Sequence, residues 1–108
     1  FSQGFVTSVP DEDILDAKAE IDRVGIGCEP ASAASLAGLR RLVADGTIPA
    51  GSSAVCVLTG HVLKDADAVV SYHFDDVDGE PRPGANRPVR VEASLAALER
   101  TLADALHG

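Results

Sequence analysis

Residues 54–58 read AVCVL, an unbroken apolar run that ends on Thr59 and Gly60. A strand with one wet face alternates apolar and polar side chains. A run that is apolar at every position instead predicts a strand covered by helices on both faces of a parallel sheet. Helical patterns stand before it. Ser8, Pro10 and the acids Asp11, Glu12 and Asp13 offer a cap, a proline and first-turn negative charge. Ile14, Ala17, Ile21 and Val24 then recur at spacings of three and four, which predicts a helix of about fourteen residues with one buried stripe, stopped at Gly25. Glu29 and Pro30 open a second helix over 31–44, where a proline without its amide proton costs nothing. Its first turn is slim, with Ala31, Ser32, Ala33, Ala34 and Ser35 ahead of the apolar Leu36, Leu39, Leu42 and Val43. Gly46 closes it, and Pro49, Ala50 and Gly51 turn the chain into the strand. Residues 5–8 read as the tail of an earlier strand. The order strand, helix, helix, strand predicts an α/β unit, a parallel-sheet fragment with flanking helices.

Beyond that unit, residues 66–72 suit either a short strand or a helical turn. Residues 74–88 hold three prolines and two glycines without periodicity and read as a solvated loop. Leu95, Leu98, Leu102 and Leu106 mark a last helix. The expected division is therefore 1–73 as the α/β part, 74–92 as loop and 93–108 as C-terminal helix. A chain of 108 residues allows one domain or part of one. Because residues 1–6 read as a strand entered from upstream, we expect the sequence to begin inside a larger fold.

Charge narrows the function classes. The formal net charge is −8, and Lys18, Arg23, Arg40, Arg41 and Lys64 are scattered among acids rather than gathered in a stripe, which argues against a nucleic-acid partner. No apolar run approaches the roughly 20 residues that span a bilayer. Cys28 and Cys56 lack CxxC spacing and read as buried small hydrophobes, in keeping with a reducing cytoplasm. His61, His73 and His107 lie too far apart for a local ligand pair, so no metal site is expected.

The chemistry is expected beyond the carboxyl end of the apolar strand, where open parallel sheets bind ligands. Gly60 permits close approach, and Thr59 offers a donor and two lone pairs without charge, which suits a heteroaromatic nitrogen that should not be fully protonated. The same two residues also suit a plain strand-ending turn. Glu29 is either a site residue or a first-turn acid on the helix dipole, and Ser32 either lines the site or caps and packs. Lys64 and Asp65 read as a local ion pair. The segment from Gly25 to Pro30 begins like GxGxxG, but Pro30 stands at the third glycine and no ribose-binding acid follows.

Taken together, CEPASAASLAGLRRL (28–42) and CVLTGHVLKD (56–65) resemble the C-terminal part of the threonine synthase family, with the similarity running over about residues 6–72. These are fold type II enzymes that use pyridoxal 5′-phosphate to convert O-phosphohomoserine and water into threonine and phosphate. The resemblance implies that residues 1–73 are the C-terminal part of such a catalytic domain. It further implies that Thr59 contacts the pyridine nitrogen, that Gly60 lets the ring approach, and that Glu29 and Ser32 line the cofactor side at the helix start. His61 and Lys64 would support the loop. Where the family motif reads TGHGLKD, Val62 replaces the second glycine, which bears on the loop if that position needs a positive φ. The lysine that holds the cofactor and the glycine-rich phosphate loop match nothing here, so no catalytic residue is assigned and the 108 residues are expected to be inactive alone. A cytoplasmic enzyme acting on a small amino-acid substrate, homodimeric when full-length, is implied. Two other readings stay open: another fold type II enzyme such as a serine or threonine dehydratase, and a non-catalytic acidic α/β module that binds a protein partner.

Overall fold

The computed structural model describes residues 3–107. Helix α1 (Asp11–Arg23) starts after Pro10 with three acids in its first turn, and it buries Ala17, Lys18, Ala19 and Ile21. It ends one residue before Val24, which is exposed, so the buried stripe stops at Ile21. Helix α2 (Pro30–Ala44) begins with the proline at its first position and packs along α1. The face it buries is not the leucine stripe. Ser32, Ala33 and Ala37 are buried, with Leu36 beside them, whereas Val43 is exposed. Ala17 and Ile21 of α1 lie in the same cluster, so the alanine face of α2 is fully covered while Leu39 and Leu42 are only half-buried. The slim first turn of α2 is thus spent on helix packing.

The apolar run at 54–58 departs most from expectation. It is extended but belongs to no sheet, and no parallel sheet is present among the described residues. Leu58 packs against the helical cluster and Cys56 is half-buried, while Val55 is 91% and Val57 is 68% exposed. The helix pair covers one face of the segment only, and its peptide groups have no ladder partner among the described residues. Residues 3–8 likewise form no strand, and residues 1 and 2 of that expected strand lie outside the described residues.

A short 3-10 turn over Val62–Asp65 leads into helix α3 (Ala66–Phe74), which settles the alternative at 66–72 as helix. Asp65 caps α3 by accepting from the Ala68 amide at 3.2 Å. Inside the stretch read as loop, β1 (Asp76–Val77) and β2 (Glu80–Pro81) pair antiparallel, with Asp76 opposite Pro81 and Val77 opposite Glu80. Asp78 and Gly79 both take positive φ there, the two-residue turn that matches strand twist. The loop that follows is tied to α1. Tyr72 donates to Asp16 at 2.8 Å, the Arg82 guanidinium lies 5.1 Å over the Tyr72 ring, and Arg82 pairs with Glu12. Helix α4 (Leu95–His107) is capped by Ser94, whose hydroxyl accepts from the Ala97 amide at 3.2 Å. Ala97 is buried, yet Leu95, Leu98, Leu102 and Leu106 are all exposed.

Candidate cofactor-facing turn

The chain from Gly27 to Ser32 and the turn from Thr59 to Lys64 meet at the start of α2. A helix start leaves its first amides without partners inside the helix. Here the neighbouring turn uses that geometry. The Glu29 amide donates to the Gly60 carbonyl at 3.1 Å, and the Gly60 amide donates to Ser32 Oγ at 2.9 Å. Ser35 in turn donates its hydroxyl to the Ser32 carbonyl at 2.8 Å. Gly60 is therefore bound on both of its peptide groups to one turn of helix.

Ser32 Oγ also lies 3.5 Å from Thr59 Oγ1. Since Ser32 already accepts the Gly60 proton, its own hydroxyl proton is free to point toward Thr59. Either hydroxyl can be the donor in that contact, and Thr59 is exposed, so its oxygen also faces outward. The four residues singled out from the sequence, Thr59, Gly60, Glu29 and Ser32, are thus brought into one cluster. Cys28, next to them, is 1% exposed, and burial pushes its thiol above the usual range, as befits a packed rather than reactive side chain.

Gly60 has a different neighbour from the one expected. A β-carbon built on it would fall inside the Glu29 carboxylate, so the missing side chain admits Glu29 rather than open space. Glu29 is held there by Lys64, whose ammonium lies 2.9 Å from Oε2, with the glutamate side chain 15% exposed and the lysine 66%. This replaces the local pair expected between Lys64 and Asp65. Adjacent side chains diverge, and Asp65 caps α3 instead. His61 supports the turn through Nδ1, which accepts the Leu63 amide at 3.1 Å.

Val62 fits without strain. It opens a right-handed 3-10 turn, and the only non-glycine residue with positive φ among the described residues is Asp78. Gly27, at φ +69°, makes room for it: a β-carbon at Gly27 would lie 3.2 Å from Val62 Cβ. The valine that replaces a glycine in the motif is accommodated by a glycine on the facing segment.

The Glu29–Lys64 pair was not legible in sequence, because the two residues sit on separate segments with no shared periodicity. A second feature also escaped it: a groove of about 770 Å³ beside the end of α1, lined by Asp16, Asp22, Arg23, Arg40, Tyr72 and the loop at Gly84. Among the described residues no group of three or more His, Cys, Asp or Glu is placed to hold a metal, and no helix is long and apolar enough to cross a membrane.

A helix pair carrying an extended apolar segment, with a hydroxyl-bearing turn where that segment ends, is consistent with a fragment of an α/β protein. No protein-family model matches the chain. Among curated proteins it is 51% identical over 102 residues to threonine synthase of Methanosarcina acetivorans, covering 94% of this chain and 22% of that protein. It is 36% identical over 102 residues to threonine synthase of Methanocaldococcus jannaschii, with the same coverage of 94% and 22%. To threonine synthase of Halalkalibacterium halodurans it is 48% identical over 71 residues, or 65% of this chain and 20% of that protein. The chain spans about a fifth of the length of these relatives, and over most of its own length it is similar to the C-terminal part of threonine synthases.

Proposed function

We propose that this chain is the C-terminal portion of a pyridoxal-phosphate-dependent threonine synthase, which converts O-phosphohomoserine and water into threonine and phosphate, and that Thr59 meets the ring nitrogen of the cofactor. The observation that carries this reading is the hydroxyl pair. Thr59 is exposed and uncharged, its weak 3.5 Å contact with Ser32 can run in either direction, and its hydroxyl can therefore turn its proton toward an unprotonated ring nitrogen. When bound, pyridoxal phosphate supplies the electron sink. Ser32 and Gly60 shape the wall around the hydroxyl, and Glu29 backs Gly60. Nothing in the sequence matches the lysine that would hold the cofactor, so the chain alone is inactive. The complete enzyme is a cytoplasmic homodimer acting on a small amino-acid substrate.

The test is Thr59→Val in the full-length enzyme. The change is close to isosteric and removes a hydrogen bond worth about 1 kcal/mol, with little effect on the fold because Thr59 is exposed. We expect slower phosphate release from O-phosphohomoserine and an altered absorption band of the bound cofactor. An unchanged rate together with an unchanged band removes Thr59 from the site. Phosphate release that is absent from the unaltered enzyme, with dehydration of serine or threonine in its place, would instead assign a dehydratase.

A further inference from the structure

We infer that Lys64 and Glu29 form a strap that fixes the Gly60 peptide against the start of α2, and that both act as positioning residues for the Thr59 hydroxyl. The inference deepens the cofactor reading of Thr59 and rests on it. Glu29 touches Gly60 twice. Its amide donates to the Gly60 carbonyl at 3.1 Å, and its carboxylate occupies the space where a β-carbon of residue 60 would stand. A carboxylate that is only 15% exposed needs a compensating charge, and the Lys64 ammonium supplies it at 2.9 Å. Lys64 in turn belongs to the 3-10 turn directly after Gly60, where its amide donates to the His61 carbonyl at 3.1 Å. The strap therefore closes a ring of chain: Gly60 to Lys64 along the backbone, Lys64 to Glu29 by charge, and Glu29 back to Gly60 by contact.

Two consequences separate this role from ordinary stabilisation. The first is local. Loss of the strap frees the Gly60 amide, whose acceptor is Ser32 Oγ, and so loosens the serine that orients Thr59. The second is electrostatic. Lys64 cancels the Glu29 charge against Gly60, the residue next to the hydroxyl meant for an unprotonated nitrogen. Without the lysine, an uncompensated carboxylate raises the proton affinity of whatever base Thr59 faces.

The experiment uses the full-length enzyme with Lys64→Met, Glu29→Gln, the double variant and Lys64→Arg. In the cofactor-free protein, hydrogen exchange at the Gly60 amide should speed up roughly fivefold in each single variant, the effect of an ion pair with one partner largely exposed. The double variant should exchange no faster than either single, and Lys64→Arg should restore protection. In the cofactor-loaded protein, Lys64→Met should move the pH midpoint of the cofactor absorption band upward, and Lys64→Arg should return it. Gly60 exchange that matches the unaltered protein in both single variants overturns the strap, as does an effect that adds in the double variant. If Gly60 exchange responds but neither Lys64→Met nor Thr59→Val moves the cofactor band, the strap is merely structural and the positioning role is overturned. A band moved by Thr59→Val but not by Lys64→Met sinks the positioning role alone.

Discussion

Gly60→Ala is the sharpest perturbation the structure offers. The three atoms nearest a β-carbon at residue 60 all belong to the Glu29 side chain, namely Cδ, Oε1 and Cγ. No positive φ is recorded at Gly60, so alanine meets a steric obstacle rather than backbone strain. That obstacle can move only by leaving Lys64 and its partly covered site. Overpacking of this kind costs about 1–3 kcal/mol, and we take roughly 2 kcal/mol because the displaced group is a side-chain end. With a urea slope of about 1.5 kcal/mol per molar, the midpoint of unfolding of the 108-residue chain should fall by about 1.3 M. Far-UV circular dichroism against urea measures it. The decisive comparison is the same substitution in a Glu29→Ala background. Glu29→Ala by itself forfeits an ion pair worth at most about 1 kcal/mol. It also removes all three obstructing atoms, so Gly60→Ala should then cost almost nothing, which leaves a coupling of about 2 kcal/mol between the positions. If alanine at residue 60 costs as much without Glu29 as with it, the packing argument is wrong.

The remaining expectations concern the helical scaffold. Burial, helped by the bond to Asp16, pushes the Tyr72 phenol up to about 12 from an ordinary 10.0. A raised value means the folded chain keeps a proton that the unfolded chain loses, so the contribution is complete below pH 10 and disappears by about pH 12. It amounts to about 2–3 kcal/mol, and Tyr72→Phe should abolish that alkaline loss in urea midpoints taken from pH 9 to 12. Lys18 is 3% exposed, with its ammonium 2.5 Å from Asp22 Oδ2, while Asp22 Oδ1 is buried without a partner. Lys18→Met should therefore cost about 2 kcal/mol in thermal melts, whereas Lys18→Met with Asp22→Leu should return to within about 1 kcal/mol of the unaltered chain. A double variant no better than the single would mean that the lysine stem, not its charge, stabilises the helix pair.

Helix spans were legible because their signals are local. Three acids after Pro10 and a proline at the first position of α2 are features a few residues wide, and both helices begin where those residues stand. Which face of α2 is buried was not legible. Leu39, Leu42 and Val43 carry more apolar surface than Ala33 and Ala37, yet the alanines are buried with Ala17 and Ile21 of α1 while Leu39 and Leu42 are half-buried and Val43 is exposed. The strand at 54–58 failed for another reason. Uniform apolarity predicts cover on two faces, and it is silent about where a ladder partner comes from. Thr59 and Gly60 were singled out because they end the apolar run, Glu29 and Ser32 through the family resemblance, and the structure brings the four together. Their mutual roles depend on a contact between distant segments. Nothing in the spelling of either segment shows that Lys64 reaches Glu29 rather than Asp65.

That contrast explains why the turn at Thr59 is built although the extended segment leading to it has no sheet. The turn is tied to residues 27–32 by Val62 over Gly27, Lys64 to Glu29, the Gly60 carbonyl to the Glu29 amide, the Gly60 amide to Ser32, and Thr59 Oγ1 beside Ser32 Oγ. None of them uses a peptide group of residues 54–58. In an extended chain alternate side chains share a face, which sets Thr59 with Val55 and Val57, and all three are exposed. The helix pair packs on the opposite face through Leu58 and reaches Thr59 only at its hydroxyl, through Ser32 Oγ at 3.5 Å. A body resting on the two valines would therefore lie on the same side as the Thr59 hydroxyl, while Glu29 and Lys64 hold the turn through the start of α2. Held in this way, the turn at Thr59 keeps its place on α2 whatever covers the valines.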